Sequence, residues 1–325
     1  MPFMSFLLGQ MPSATEVGLI YAITALGVHL TFRLLDFPDL TVDGSFTTGG
    51  ATAAAAITAG WSPYVAMLLA FFAGTIAGSI TGLLHAKGNI NGLLASIITM
   101  IGLYSVNLHI MGNRAVLPLL GIDTALTPLE NAGFLRSSWI GSSILLIVVV
   151  AMTLALVWYL HTRLGLALRS TGDNQQMAGS FRVDTDMQKI VGLAISNGLV
   201  AFSGSLLAQY QATADATMGI GVIIIGLASV IVGQAIFGRR HVWQALFAAA
   251  AGAVLYRWAL QLAMAIGLPP QDMKLASALI VAAALLAPKL PMFKRFKAAY
   301  VKRRQQRVAA RLADTTAAGE EKPHA

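Results

Sequence analysis

The sequence predicts an all-α, polytopic membrane protein with about nine membrane-spanning helices, within a range of eight to ten. Of its 325 residues, 56% are hydrophobic and 11% are charged, and the mean hydropathy is +0.70. Soluble proteins carry roughly 25% charged residues, so this composition favours a bilayer. Apolar windows of about 20 residues recur along the chain, and a helix of that length crosses a bilayer.

Nine windows meet this requirement. They are approximately 15–34, 40–60, 63–85, 90–111, 138–160, 188–211, 217–237, 242–264 and 273–288. The second opens with the polar run from Asp39 to Gly50, which is costly in contact with lipid. We therefore expect a broken or re-entrant helix there, packed inside the protein. In the third window, glycines at positions 74, 78 and 82 predict close approach of a neighbouring helix.

The net charge of +8 lies almost wholly at the carboxyl end. Ten Lys and Arg and three acids fall in residues 289–325, which therefore carry +7. Cations accumulate on cytoplasmic flanks, so we predict a membrane domain of residues 1–288 followed by a basic cytoplasmic tail. The cations of the 161–189 loop and the 238–241 turn place both on the cytoplasmic side, and the 112–137 loop outside. Nucleic acid is not an expected partner, because no aromatic platform accompanies the basic residues.

A faint internal repeat relates the two halves of the chain. Val17-Gly18-Leu19 recurs as Val191-Gly192-Leu193, and Ala77-Gly78 recurs as Ala251-Gly252. Each match alone is also compatible with chance in a chain this rich in Ala and Leu. A true repeat makes the first four and last four spans inverted duplicates around an odd fifth helix, a 4+1+4 arrangement typical of transporters.

Polar side chains within or beside apolar spans are candidates for a solute pathway, because they are costly in lipid. The candidates are Asp39, Thr41, Asp43, Ser45, Thr47, Thr48, Asn107, Gln211 and Asp215. His29, Arg33, His109 and Arg257 are further intramembrane polar residues. Alternatively, the first two acids cap a short helix by accepting hydrogen bonds from its free N–H groups, and both roles are compatible.

A charged, glycine-containing segment at about residues 163–189 separates two long apolar runs and is suited to docking a soluble partner. Asp173 or Asn174 is placed to cap a short helix, and Met177 and Phe181, four residues apart, share one face of it. The residues expected to make this contact are Arg169, Asp173, Asn174, Met177, Ala178, Phe181 and Arg182. An ordinary solvated loop is the alternative.

Two motifs resemble those of a known family. The run Arg169-Ser170-Thr171-Gly172-Asp173-Asn174-Gln175-Gln176-Met177-Ala178 is similar to the R-x-T-G-D-N-x-x-M-A pattern in the cytoplasmic coupling loop of ATP-binding cassette (ABC) importer permeases for branched-chain amino acids, ribose-type sugars and nucleosides. The Asp39–Ser45 segment resembles the G-I-D-L-S-V-G-S stretch of ribose-type relatives, although Asp43 has no acidic counterpart there. The resemblance spans about residues 15–290 and is strongest to the subgroup paired with tryptophan- or tyrosine-type binding proteins.

The resemblance implies a multi-pass protein of the bacterial inner membrane that moves a small polar solute, such as an amino acid, by alternating access. Its implied partners are a second permease copy, cytoplasmic ABC ATPase subunits and an extracytoplasmic solute-binding protein. The chain has no G-x-x-x-x-G-K-[ST] loop, so ATP is expected to be used by the partner ATPase. We expect no enzymatic activity, bound cofactor or metal in this chain.

Two other interpretations remain open at the level of sequence. An ion-coupled secondary transporter would also use inverted repeats and a broken helix, with Asp39, Asp43 or Asp215 binding a proton or Na⁺. A membrane enzyme or scaffold has no supporting group of residues.

Overall fold

The computed structural model describes residues 2–136, 138–267, 269 and 272–286, and this part of the chain is mainly helical. Its helices are α1 (Pro2–His29), which continues as a π-helix (Leu30–Leu34), α2 (Thr41–Thr58), α3 (Pro63–Ala86), α4 (Gly92–Ile110), α5 (Thr127–Asn131), α6 (Trp139–His161), α7 (Arg163–Asp173), α8 (Gln175–Ser180), α9 (Thr185–Gln211), α10 (Val222–Phe237), α11 (Val242–Ala265) and α12 (Met273–Leu286). Strands β1 (Val116–Pro118) and β2 (Thr213–Asp215) form an antiparallel pair. The predicted basic tail, residues 289–325, lies outside the described residues, as does the end of the ninth window.

Six helical segments of the described chain are long and apolar enough to cross a membrane. They are Gly9–Leu34, Pro63–Ala86, Gly92–Ile110, Trp139–His161, Thr185–Gln211 and Val242–Ala265. α10 is apolar but has only 16 residues, and α2 is rich in Thr, Gly and Ala. The structure therefore confirms a polytopic helical membrane protein, whereas length and composition support six of the nine predicted spans.

α2 is largely enclosed by neighbouring helices. It packs against α9, α3 and α4, and 13 of its 18 residues are buried. Glycines bring α2 and α9 into backbone contact. A Cβ at Gly49 would overlap the carbonyl of Ala201, and one at Gly204 would overlap the carbonyl of Phe46. Small residues thus replace large apolar ones in the interior, as expected for helices that associate in lipid.

The predicted close packing of the third window is confirmed. Gly74, Gly78 and Gly82 lie along one face of α3, and a Cβ at any of them would overlap the backbone of α9. This seam between α3 and α9 is the most extensive helix contact of the described chain.

The outward faces of α3, α4 and α6 carry large apolar side chains. Ile76 is 62% exposed, Ile101 62%, Ile147 67% and Trp158 73%. An apolar surface of this extent on several helices suits contact with lipid tails rather than water.

Candidate functional site

The helical path is interrupted at residues 35–40, between the π-helix and α2. Asp36 adopts a left-handed conformation, with φ of 52°, and redirects the chain. Asp39 follows and is fully buried. Its Oδ1 accepts a hydrogen bond from the Thr41 backbone N–H at 2.9 Å, and its Oδ2 accepts one from Asn197 Nδ2 at 2.7 Å. Asp39 therefore caps the start of α2 and ties it to α9.

Asp43 belongs to the first turn of α2 but caps a different helix. Its Oδ2 accepts a hydrogen bond from the Gly221 N–H at 2.9 Å, and its Oδ1 accepts one from the Ile223 N–H at 2.8 Å. Both donors lie at the start of α10, where backbone N–H groups lack partners within their own helix. The negative charge also faces the positive end of the α10 dipole. The capping alternative thus describes Asp43, with α10 as the helix that it caps.

The threonine hydroxyls of the predicted pathway set are engaged inside the protein. Thr41 Oγ1 lies 2.8 Å from Thr81 Oγ1, which joins α2 to α3. Thr47 Oγ1 accepts a hydrogen bond from the Gly219 N–H at 3.0 Å. Thr48 Oγ1 donates to the Gly44 carbonyl at 2.9 Å within α2. Thr41 and Thr47 therefore hold α2 against neighbouring elements, whereas the hydroxyl of Thr48 is satisfied within its own helix.

Two other members of the set keep unused hydrogen-bonding capacity. Asn107, 1% exposed on α4, donates from Nδ2 to the Gly44 carbonyl at 3.4 Å. Its Oδ1 is buried and has no hydrogen-bond partner among the described residues, and the Oγ of Ser45, on α2, is a second such atom. Because buried polar atoms are nearly always paired, Asn107 Oδ1 marks the contact between α4 and Gly44 of α2 as a place where a polar guest would be stabilised.

Gln211 and Asp215 lie away from this contact. Gln211 is exposed at the end of α9. Asp215 lies opposite Val116 in the strand pair, and its Oδ1 accepts hydrogen bonds from Thr217 N at 2.6 Å and Thr217 Oγ1 at 2.7 Å. β2 packs near the carboxyl-terminal half of α2, where Ala214 joins a buried alanine cluster. Asp39 therefore lies at the amino end of α2, whereas Asp215 lies beside its carboxyl-terminal half.

The loop between α6 and α9 contains the predicted short helix. This helix is α8, and Asn174 caps it, since Asn174 Oδ1 accepts a hydrogen bond from the Met177 N–H at 2.9 Å. Ala178 is buried against the body of the protein, whereas Met177 is 52% exposed and Phe181 74%. The predicted helix, its cap and its outward apolar pair are confirmed, and the docking role stays a prediction.

The three remaining residues of the docking set flank this helix. Asp173 is exposed and ends α7, and Arg169 is half-buried within it. Arg182 is exposed just after α8, in a left-handed conformation with φ of 59°.

α7 presses against the interruption that precedes α2. Its Leu168 is fully buried, and a Cβ at Gly172 would overlap the carbonyl of Leu34 at the end of the π-helix. A displacement of α7 would therefore shift residues 34–40 and, through Asp39, the start of α2.

Sequence reasoning missed a buried acid, Glu16, near the start of the first span. Its carboxylate accepts hydrogen bonds from the Arg136 backbone N–H at 3.0 Å and from Tyr210 Oη at 2.9 Å. Arg136 in turn donates from Nη2 to the Tyr210 carbonyl at 2.8 Å. This cluster fastens the loop before α6 to α1 and α9. An acid at the edge of an apolar run was the available signal, although its partners lie more than 100 residues away.

Comparison with known proteins gives a consistent assignment. A family model described as "Branched-chain amino acid transport system / permease component" matches residues 13–287. A tyrosine transport system permease protein of Clostridioides difficile is 39% identical over 274 residues, covering 84% of this chain and 89% of that protein. A ribose import permease protein of Haemophilus influenzae is 24% identical over 221 residues, covering 66% of this chain and 65% of that protein.

A solved structure shares the fold. It is PsaBC from Streptococcus pneumoniae in complex with Fab, with a TM-score of 0.50, 15% identity, and coverage of 86% of this chain and 90% of that one. The family model covers most of the chain, and the helical fold agrees with it. The chain therefore belongs to the permease component family of branched-chain amino acid transport systems and is a permease subunit of an ABC importer.

Proposed function

We propose that this permease moves a small polar solute of the amino-acid class across the bacterial inner membrane. It acts as a homodimer with separate cytoplasmic ABC ATPase subunits, which use ATP, and with an extracytoplasmic solute-binding protein. The substrate class follows from the tyrosine transport relative at 39% identity. This chain itself binds no cofactor.

The observation that carries the coupling role is the outward apolar pair on α8. Met177 is exposed on α8 and Phe181 is exposed at its carboxyl-terminal cap, outside the apolar spans, while Ala178 is buried against the body of the protein. Apolar side chains on one face of a short helix are suited to a groove on a protein partner. The contact of Gly172 with the Leu34 carbonyl gives a path from that partner to the start of α2.

The solute pathway is proposed to run beside the contact between α2 and α4. Asn107 Oδ1 supplies a buried polar atom there without a partner among the described residues, and Ser45 Oγ on α2 is a second such atom, as polar groups of a passing solute require. Thr41 and Thr47 hold α2 in position. Alternating access then amounts to a shift of α2 against α4 between outward-open and inward-open states.

The inverted 4+1+4 repeat with nine spans is supported by reciprocal packing. α3 packs most extensively on α9, and α11 packs most extensively on α1. Thus α1, the first helix of the first proposed half, packs against α11, the third helix of the second. Likewise α9, the first helix of the second half, packs against α3, the third helix of the first. In each half a long helix is followed by a shorter one, α2 with 18 residues and α10 with 16, while α6 stands alone between the halves.

The proposed orientation places α7, α8 and the turn between α10 and α11 in the cytoplasm. The segment between α4 and α6 then lies outside, where it is available to a binding protein. Arg114 and Arg136 are cations on that outer side. Arg136 has a structural role on that side, because Glu16 accepts a hydrogen bond from its backbone N–H and the Tyr210 carbonyl accepts one from its side chain.

The coupling role is tested by Met177→Glu and Phe181→Glu, with Gln176→Glu as the matched control because Gln176 is exposed on the same helix. A carboxylate buried without a partner in an interface costs about 2–5 kcal/mol, so ATPase co-purification should fall roughly 30-fold or more. Uptake in proteoliposomes containing the ATPase and binding protein should fall in parallel. Uptake at the level of the unmodified protein in both variants would reject the coupling role.

The ion-coupled alternative lacks support from these contacts. Asp39 and Asp43 each accept two hydrogen bonds from protein donors at helix starts or between helices, which gives both carboxylates a structural role. Asp215 likewise accepts two hydrogen bonds from Thr217.

A further inference from the structure

A cavity of about 270 Å³ opens between the π-helix, α7 and the turn that joins α10 to α11, and we call it the arginine cavity. Its lining includes four arginines and two histidines, which are Arg33, Arg169, Arg239, Arg240, His29 and His241. None of the described residues that line it is acidic. The ion pairs found among the described residues involve other side chains, Lys87 with Asp186 and Arg136 with Glu130.

Four arginines line one small space, three of them exposed and Arg169 half-buried, so an anion that enters the cavity meets a concentration of positive charge. Guanidinium groups match the oxygens of phosphate and carboxylate through paired N–H donors. The described residues supply no carboxylate to this cavity, so the cavity is suited to an anion from another molecule. Phosphate is the stronger match, since it offers more charge and more acceptor oxygens within the same volume.

The floor of the arginine cavity is polar and buried. His29 is 3% exposed and Gln234 is 8% exposed, and Gln234 Nε2 lies 3.1 Å from His29 Nδ1. The Oε1 of Gln234 is buried and has no hydrogen-bond partner among the described residues. An amide oxygen accepts hydrogen bonds, so the floor suits a hydroxyl group on the same ligand that brings the phosphate.

The turn that lines the arginine cavity lies between two exposed aromatic residues, a composition typical of a membrane interface. Phe237, 49% exposed, ends α10, and Trp243, 53% exposed, lies in the first turn of α11. His241 stacks on Trp243 with ring centroids 6.4 Å apart. Aromatic side chains gather at the headgroup level of a bilayer, and basic pockets between membrane helices bind anionic headgroups.

We propose that the arginine cavity binds the phosphate of an anionic membrane lipid, with phosphoglycerol as the headgroup that supplies both phosphate and hydroxyl. Soluble phosphate shares the recognised chemistry and is the other source. Arg169 belongs to α7 and Arg33 to the π-helix, so the bound phosphate joins the two elements that meet at Gly172. The assignment to the cytoplasmic leaflet rests on the proposed orientation of the permease.

The test is native mass spectrometry of the purified full-length permease, titrated separately with phosphatidylglycerol, phosphatidylcholine and inorganic phosphate. Phosphatidylglycerol is expected to bind at least about tenfold more tightly than phosphatidylcholine. Arg33→Gln and Arg240→Gln should each weaken that binding by about tenfold, the effect of losing one charge-assisted hydrogen bond. Arg163→Gln is the matched control, because Arg163 is exposed on α7 outside the cavity.

The arms of the experiment separate the sources. If inorganic phosphate displaces phosphatidylglycerol at similar concentration and binds more weakly to the same variants, the cavity is a phosphate site. Its ligand is then a soluble anion rather than a lipid. Equal binding of both lipids without phosphate binding overturns the site, as does an equal loss in Arg163→Gln. The melting temperature is measured for every variant. If Arg33→Gln misfolds, Arg240→Gln alone tests the site, because Arg240 is exposed in a turn. No ATPase or binding protein is present, so this outcome is independent of the transport proposal.

Discussion

α6 and α2 show how differently two helices of one membrane protein relate composition to position. α6 has the highest hydropathy of the candidate spans, 2.7, yet 33% of its most apolar window is buried inside the protein. α2 consists largely of Thr, Gly and Ala, yet 13 of its 18 residues are buried. In lipid the most apolar helix belongs at the periphery, and the interior is recognised by small and polar residues.

The two helices also differ in what holds them. α6 meets its surroundings mainly through large side chains, and Ile147 and Trp158 point outward. α2 meets α9 through backbone contact at Gly49 and Gly204, and its polar groups are bonded across helices by Asp39 and Thr41. Substitutions that change side-chain size or polarity should therefore reduce stability strongly in α2 and only slightly on the outer face of α6.

The largest effect is expected for Gly49→Leu in α2. Its side chain would overlap the Ala201 carbonyl, and overpacking at a backbone contact costs about 3 kcal/mol or more. Gly102→Leu, in α4, is the control because no atom lies within 4 Å of an added Cβ there. Size-exclusion chromatography and melting temperature provide the measurement. Equal behaviour of the two variants would contradict the proposed difference between interior and periphery.

An intermediate effect is expected for Asp39→Ala. It leaves the Thr41 N–H without its acceptor and leaves Asn197 Nδ2 with only the Leu193 carbonyl, at a cost of about 2 kcal/mol. Asp39→Asn retains one acceptor oxygen and should recover part of the loss. Asp215→Ala, which removes contacts only to Thr217, should cost about 1 kcal/mol. Thermal unfolding in detergent ranks the three, and a larger loss for Asp215→Ala would refute this ranking.

The smallest effect is expected on the outer face of α6. Ile147, 67% exposed, should tolerate replacement by Ala with a change of about 0.5 kcal/mol or less. Leu145, 5% exposed on the same helix, is the matched position, and Leu145→Ala should cost about 2 kcal/mol or more because it opens a cavity. Similar melting temperatures for both variants would show that burial at Leu145 does not stabilise the protein more than exposure at Ile147.

The sequence predicted what depends on local pattern. The glycine seam of α3 and the short capped helix at Asn174 follow from residues close in the chain, and the structure contains both. The polar run from Asp39 to Gly50 is packed inside the protein as predicted, but the helix is not broken within it, because α2 is continuous from Thr41 to Thr58 and the interruption precedes it at residues 35–40. The nine-span count and the inverted repeat depend on how helices sit in a bilayer, so they remain proposals.

What sequence reasoning missed depends on contacts between distant residues. Asp43 caps a helix that begins 178 residues later, a pairing that no local pattern encodes. Glu16 and the arginine cavity likewise collect side chains from separate helices. Gln211 and Asp215 lie apart from Ser45 and Asn107 because the strand pair carries Asp215 toward the far end of α2.

The cap that Asp43 provides has a consequence for the order of biosynthesis. α10 has 16 residues, about 24 Å in length, which is shorter than the roughly 30 Å hydrocarbon layer. The ribosome makes Asp43 long before Gly221 and Ile223, so the acceptor is already installed when the first turn of α10 emerges. In a nascent chain that ends before α10, the Asp43 carboxylate lacks its hydrogen-bond donors. Such a chain has an incomplete core and would be exposed to quality-control proteases. The second half of the protein thus completes the first, and neither half is expected to be stable when made alone.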